Sequence, residues 1–380
     1  MNKIVFIHLT GGLIIKGNDC AFTEGGLVHG VTALSGLSSD YDITFLCPNP
    51  PGYKKRREVE YKGIRIVCLG SAMWIQEAQY ANLSFFQEAS RFVEQEKPDI
   101  VIGNGIVSAC LLRFISQEAF KIGVIHHLYH ALDHEESFKH MIWGIGIIER
   151  LALQIARLDK VAAVSPMVRD ILLKKGFPPE DVIVVGNGVN TDEYGFSEDK
   201  APHSLIYIGR LTKLKRVGSL IEVVREVRKI FPDVILHIVG SGPQREKLKK
   251  KIAKLGVSDN VVMHGHLPER EKIALLRSSA IYVSSSSFEG FGIPLVEAMA
   301  TGAVPVVSNI PAHDFVFQGE DVGFLVDSEE EMVKRVIELL GEKQLRMALS
   351  RNGRRLVEQT WTWTKVQERY RELMRSCCVV

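Results

Sequence analysis

Ala280-Ile281-Tyr282-Val283-Ser284, three more serines and Phe288 lead into Glu289-Gly290-Phe291-Gly292-Ile293-Pro294-Leu295-Val296-Glu297 and then Ala298-Met299-Ala300. The apolar opening has strand length, and the residues after Ile293 suit a helix. Pro294 is tolerated in a first helical turn, where its missing N–H leaves no partner unpaired. The segment therefore reads as strand, glycine-bearing loop and helix N-terminus. Backbone N–H groups there have no helical acceptor, and the helix dipole favours an anion or a sugar oxygen. Gly290 and Gly292 allow a ligand to come close to the backbone. Glu289 lies before the helix and Glu297 about a turn inside it, so both can face one cleft. The plainer reading is a loop glycine pair with two solvated glutamates.

Working outward, the same grammar repeats. Leu205 to Ile208 is a strand ending in Gly209-Arg210, and Lys215 precedes a helix over Val217 to Lys229. Two cations converging on a helix N-terminus suit a diphosphate, and arginine can bind two oxygens at once. Lys213 competes with Lys215 for that role. Ile235 to Val239 ends in Gly240-Ser241-Gly242-Pro243, which lacks the third glycine of a dinucleotide fingerprint. Asn260 to Pro268, Ala303 to Asn309 and Gly323 to Val326 read as further strands with their turns. Helices fit Glu329 to Leu340 and Lys343 to Gln359, and a last one begins at Trp361 and runs to about Arg375.

The first half alternates likewise. Strands fit Lys3 to Leu9, Asp42 to Cys47, Ile64 to Leu69, Ile100 to Gly103, Lys121 to Ile125 and Lys160 to Val164. A loop follows the first strand as far as Glu24-Gly25-Gly26, and helices fit Leu27 to Leu37, Phe85 to Gln95 and Met141 to Leu158. Alternation of this kind implies parallel sheets covered on both faces. Ile125-His126-His127 ends a strand at the edge where open α/β sheets bind ligands. Polar residues from Ser197 to His203 read as an interdomain linker.

The chain has 380 residues, a length for two domains, with 46% apolar residues and a net charge of +2. That charge does not indicate a nucleic-acid-binding protein. The six cysteines form no Cys-x-x-Cys pair, which points to a reducing compartment. No signal-peptide pattern opens the chain. The greasiest run, Ile142 to Leu158, contains Glu149, Arg150, Gln154 and Arg157 and reads as a buried helix rather than a span.

Glu289 and Glu297, with seven residues between them that include Gly-Phe-Gly-x-Pro, resemble the signature of the retaining glycosyltransferases of family 4. Asn187-Gly188-Val189-Asn190 and the strand ends of the second half extend the likeness over nearly the whole chain, most specifically from Ser165 onward. The resemblance implies the GT-B fold: two Rossmann-like α/β/α domains facing across a cleft. Residues 1–195 would form the acceptor-side domain and 203–360 the nucleotide-sugar domain, with 361–380 packing back on the first.

The resemblance also implies roles. Gly209, Arg210 and Lys215 would serve the donor diphosphate, although Arg216 stands where relatives usually carry glycine. Gly265, His266 and Leu267 would cradle the nucleobase. Gly290, Phe291, Gly292 and Ile293 would offer backbone groups, Glu289 would hold sugar hydroxyls and Glu297 the ribose. Gly25 and Gly26 match a glycine loop near the donor diphosphate or acceptor, with Gly11-Gly12 in competition. His126 best matches a histidine facing the donor sugar, and His127, where relatives commonly have aspartate, is the close alternative. The expected co-substrate is a GDP- or UDP-linked sugar, with no other cofactor and no metal. The expected acceptor is a saccharide or a lipid-linked one, reached in the cytoplasm with peripheral membrane contact.

Several features admit other readings. His126, His130 and His134 have zinc-like spacing, and a loop-rich cleft edge also explains them. Asp40-Tyr41-Asp42 fits an Asp-x-Asp metal motif, but its place suggests a surface turn. The basic run Tyr53 to Arg57 is a solvated loop or a patch for anionic lipids. A sugar phosphorylase, an epimerase, a nicotinamide-dependent enzyme and a non-catalytic sugar-nucleotide-binding protein are the rival functions.

Overall fold

The computed structural model describes the chain except residues 1, 10–12, 17–18, 23–24, 50–54, 71, 76–77, 82, 116–117, 127–155 and 378–380. It divides into two compact units, Met1–Gly186 with Val366–Val380, and Asn187–Lys365.

The first unit is built on an eight-stranded sheet. Its strands are β1 (Lys3–His8), β2 (Asp42–Pro48), β3 (Arg57–Tyr61), β4 (Ile64–Leu69), β5 (Ile100–Asn104), β6 (Phe120–Ile125), β7 (Lys160–Ala163) and β8 (Val182–Val184). They lie in the order β8-β7-β6-β5-β1-β2-β4-β3. Only β3 runs antiparallel, along β4. The central strands are buried almost end to end, as a sheet covered on both faces requires. β1 lies between β2 and β5, so the connections leave it in opposite directions and a crevice opens at its carboxyl end.

The outer strand β3 was not anticipated, because it overlaps the basic run. Arg56 and Arg65 both lie over the Phe92 ring, both pair with Glu58, and Arg65 also pairs with Glu96. The interval after β1, expected as loop, holds the antiparallel pair Leu13–Lys16 and Asp19–Phe22. A second such pair joins Ala72–Ile75 to Ala78–Ala81. Helix α1 (Gly25–Ser35) begins at the expected glycine pair. Gly11-Gly12, Tyr53, Lys54, His127, His130, His134 and most of the helix from Met141 lie outside the described residues.

The second unit has a six-stranded parallel sheet. Its strands are β9 (Ala201–Ile208), β10 (Ile235–Val239), β11 (Val261–Gly265), β12 (Ser279–Ser284), β13 (Val304–Ser308) and β14 (Phe324–Val326). The order β11-β10-β9-β12-β13-β14 is that of a Rossmann sheet, with its switch between β9 and β12. Helices α2 (Val217–Val227) and α3 (Ile293–Thr301) follow the two strands at that switch. Lys200, from the expected linker, donates to the carbonyls of Arg277 and Thr301 at 2.8 Å each. It thereby closes the carboxyl ends of two helices, where a cation is favoured.

Helix α4 (Trp363–Arg375) starts in the second unit and belongs to the first from Val366. Gln367 donates to the Thr32 carbonyl at 2.9 Å, and Arg371 to Asp40 Oδ2 at 2.8 Å. That guanidinium holds the Asp40 carboxyl below its ordinary pKa. The acidic pair at 40 and 42 thus divides between a helix contact and the start of β2.

Candidate active site

The expected donor residues of the second unit gather at the carboxyl ends of its parallel strands. The turns after β9 and β10 interlock through their backbones. Gly209 N–H donates to the Val239 carbonyl, Leu211 N–H to Ser241, and Gly240 N–H to Gly265. A Cβ on Gly240, which has φ of +135°, would stand 2.0 Å from the Gly209 oxygen. The Gly-x-Gly-Pro turn is therefore a packing device. Gly265 ends β11 at φ +72° and leaves His266 exposed and Leu267 half-buried beyond it.

Arg210 points its side chain into solvent and, among the described residues, makes no ion pair. Its carbonyl accepts from the Tyr207 hydroxyl at 3.2 Å. A short 3-10 turn, Lys213–Lys215, then delivers Lys215. Lys215 Nζ pairs with Glu289 Oε1 at 2.5 Å and donates to the Phe288 carbonyl at 3.2 Å. Ser286 Oγ donates to the same carboxylate at 2.9 Å. Ser285 and Ser287 tie this loop to the 214–216 turn by donating to the carbonyls of Arg216 and Leu214. The serine run is therefore a clasp between the two loops at the switch. Arg216 itself is left-handed, at φ +47°, immediately before α2. That conformation accounts for the glycine expected at this position.

At α3, Gly292 occupies the N-cap position at φ +97°. Among the described residues the N–H groups of Gly290, Phe291, Gly292 and Ile293 have no acceptor in the protein. Phe291 is buried against Trp361, with ring centroids 5.2 Å apart, and so anchors the loop through its side chain. Beneath the loop, buried His313 holds the Ser308 carbonyl at 2.8 Å, and burial lowers its pKa. Burial first, and then the Glu289 charge, raise the pKa values of Tyr207 and Tyr282.

Glu297 has different partners. Its carboxylate accepts from Tyr194 at 2.8 Å and from Lys272 at 3.1 and 3.2 Å. Burial raises its pKa despite the neighbouring ammonium. The two glutamates are thus not an equivalent pair: one sits in an ion pair at the loop, the other in a buried cluster.

In the first unit, His126 directly follows β6 and its Nε2 bonds Asn104 Oδ1 at 2.7 Å. The Asn104 amide nitrogen bonds His8 Nδ1 at 2.9 Å. His29 of α1 meets the His126 ring edge-on at 4.8 Å and bonds the Tyr370 hydroxyl at 3.1 Å. His8, Asn104 and His126 therefore form a chain across the ends of β1, β5 and β6. If Asn104 is oriented this way, His8 Nδ1 accepts and His126 Nε2 donates. Among the described residues no three His, Cys, Asp or Glu side chains gather closely enough to hold a metal.

Sequence reading missed Asn104, His8, Tyr194, Lys272, Ser286 and His313. Two signals were present: polar residues ending apolar strands at His8 and Asn104, and the serine run. Nothing local marks Tyr194 or Lys272.

Two family models match the chain. The model described as glycosyl transferases group 1 matches residues 171–356, and that of glycosyltransferase family 4 matches residues 25–193. The chain belongs to this glycosyltransferase family. An uncharacterized glycosyltransferase of Methanocaldococcus jannaschii is 26% identical, over 89% of this chain and 91% of its own. The MMP alpha-(1->4)-mannosyltransferase of Mycolicibacterium hassiacum is 29% identical, over 70% of this chain and 68% of its own. The structure of Anabaena HepE in complex with UDP and glucose superposes with a TM-score of 0.75 at 14% identity, covering 99% of this chain and all of that one. This glycosyltransferase accordingly has the GT-B fold. Among its described residues no helix is long and apolar enough to cross a membrane.

Proposed function

We propose that this glycosyltransferase moves a hexose of mannose or glucose type, with retention, from a nucleotide-diphosphate sugar to a saccharide or lipid-linked acceptor. One observation carries the reading: exposed Arg210, the Lys215–Glu289 pair and the unpaired N–H groups of residues 290–293 occupy the two loops at one sheet switch. Cations and oriented N–H groups stabilise negative charge as it grows on a departing diphosphate. Glu289 keeps acceptor positions beyond those used by Lys215 and Ser286, which suits sugar hydroxyls. Its ion pair and its place on the diphosphate side argue against a hydrolase acid–base pair. The acceptor hydroxyl attacks the anomeric carbon on the face the diphosphate leaves. The C–O bond to the phosphate breaks, and the departing phosphate oxygen takes the acceptor's proton. The mannosyltransferase relative supports a mannose-type sugar, and the HepE complex with UDP and glucose supports a glucose-type sugar and a uridine nucleotide.

Thermal unfolding with UDP, GDP, ADP and their common sugar conjugates tests the donor reading. A ligand that binds only the folded chain raises its apparent stability. One diphosphate should raise Tm by several degrees in wild type, on the order of 2–4 °C per kcal/mol, and much less in Arg210→Ala. Folded protein that responds to none of them overturns the reading.

A further inference from the structure

Four side chains converge beneath α3. Tyr194 comes from the segment before β9, Glu269 and Lys272 from the helix Glu269–Ser278, and Glu297 from α3 itself. Lys272 Nζ reaches Glu269 Oε1 at 3.0 Å, Glu297 Oε1 at 3.1 Å and Glu297 Oε2 at 3.2 Å. An ammonium has three donors, so these contacts use all of them. The single proton of the Tyr194 hydroxyl is shared between Glu297 Oε1, at 2.8 Å, and Glu269 Oε1. Its ring faces the same ammonium, 5.3 Å from Nζ to centroid, a favourable cation–π distance.

Counting acceptor positions gives the consequence. Each oxygen of an ionised carboxylate has about two. Glu297 Oε1 spends both, on Tyr194 and Lys272, and Oε2 spends one on Lys272. One position on Oε2 is left, on a side chain that is 10% exposed. A clamp on three of four positions fixes the carboxylate plane and hence the direction of the last.

We propose that Lys272 and Tyr194 are positioning residues for Glu297. They aim its remaining Oε2 acceptor at a ribose hydroxyl and so set a preference for ribo- over deoxyribonucleotides. This rests on the nucleotide-sugar reading above. A site built to bond a hydroxyl rejects an analogue without it, because its own polar group is then left unpaired. Lys272 also opposes protonation of the acid. Burial drives Glu297 toward its neutral form and the ammonium opposes that; a protonated carboxyl would lose its sharpness as an acceptor.

Calorimetric titration of the full chain with UDP or GDP, whichever binds, and with its 2′-deoxy and 3′-deoxy forms, tests this. Wild type should prefer the ribonucleotide over one deoxy form by about tenfold or more, as expected for a bond to a charged acceptor. Lys272→Met should bring that ratio close to one, mainly by weakening the ribonucleotide, and Lys272→Arg should restore part of it. Tyr194→Phe, which removes one oxygen, should reduce it by about threefold, and with Lys272→Arg it decides the matter should Lys272→Met not fold. A general loss of stability would weaken all three ligands alike and leave the ratio intact. A folded Lys272→Met or Tyr194→Phe with the wild-type ratio overturns the proposal, as does a wild type without preference. If wild type binds no nucleoside diphosphate, the donor reading itself fails.

Discussion

At the carboxyl edge of the first unit's sheet, two imidazoles and an amide form a chain from His8 through Asn104 to His126. The same edge of the second unit's sheet carries Arg210, the Lys215–Glu289 pair and the Lys272–Glu297 pair. Both sets stand where a doubly wound sheet opens its crevice, so topology places them and residue type separates them. Fixed cations and unpaired N–H groups suit an anion whose charge grows during reaction. A chain of imidazole and amide groups suits neutral hydroxyls, since each group can donate on one side and accept on the other. One sheet architecture thus presents two different sets of polar groups.

The largest effect that bears on this contrast is expected from Lys215→Met. It removes a cation from the side proposed for the diphosphate and the ion-pair partner of Glu289, and should lower kcat by about 10²–10³-fold. Steady-state transfer assays on protein with a wild-type circular dichroism spectrum check it. A loss under fivefold would mean that the charged edge does not stabilise the leaving group.

Asn104→Leu breaks the other edge. It removes the bonds to His8 Nδ1 and His126 Nε2 and should lower stability by about 1–3 kcal/mol. Urea unfolding checks it, and an unchanged midpoint would mean that the amide does not hold the two imidazoles.

The smallest effect is expected from Arg216→Gly. It relieves left-handed backbone before α2 and gives back part of the gain as unfolded-state entropy, for a net stabilisation of about 0.5–1 kcal/mol. Urea unfolding measures it. A destabilised variant would mean that the Arg216 side chain supports the turn.

Legibility followed distance along the chain. Gly209-Arg210, Lys215 and the Glu289–Glu297 loop were readable because strand, turn and helix are written in consecutive residues. The same locality explains the antiparallel pair after β1: strands of four residues leave too little pattern to detect. Tyr194 meets Glu297 across 103 residues, and Lys215 bonds the Phe288 carbonyl across 73. No local periodicity encodes such meetings.

The sequence by itself determined the alternation of strands and helices, the glycine turns at strand ends, and the presence of two glutamates and two cations in the second half. Its likeness to a glycosyltransferase family rests on those local patterns. Only the tertiary structure decided that Lys215 pairs with Glu289 while Lys272 pairs with Glu297, and that Asn104 stands between two histidines. Partner choice and burial depend on distances through space, which the sheet order fixes, and those two quantities set what each polar group can still offer a ligand.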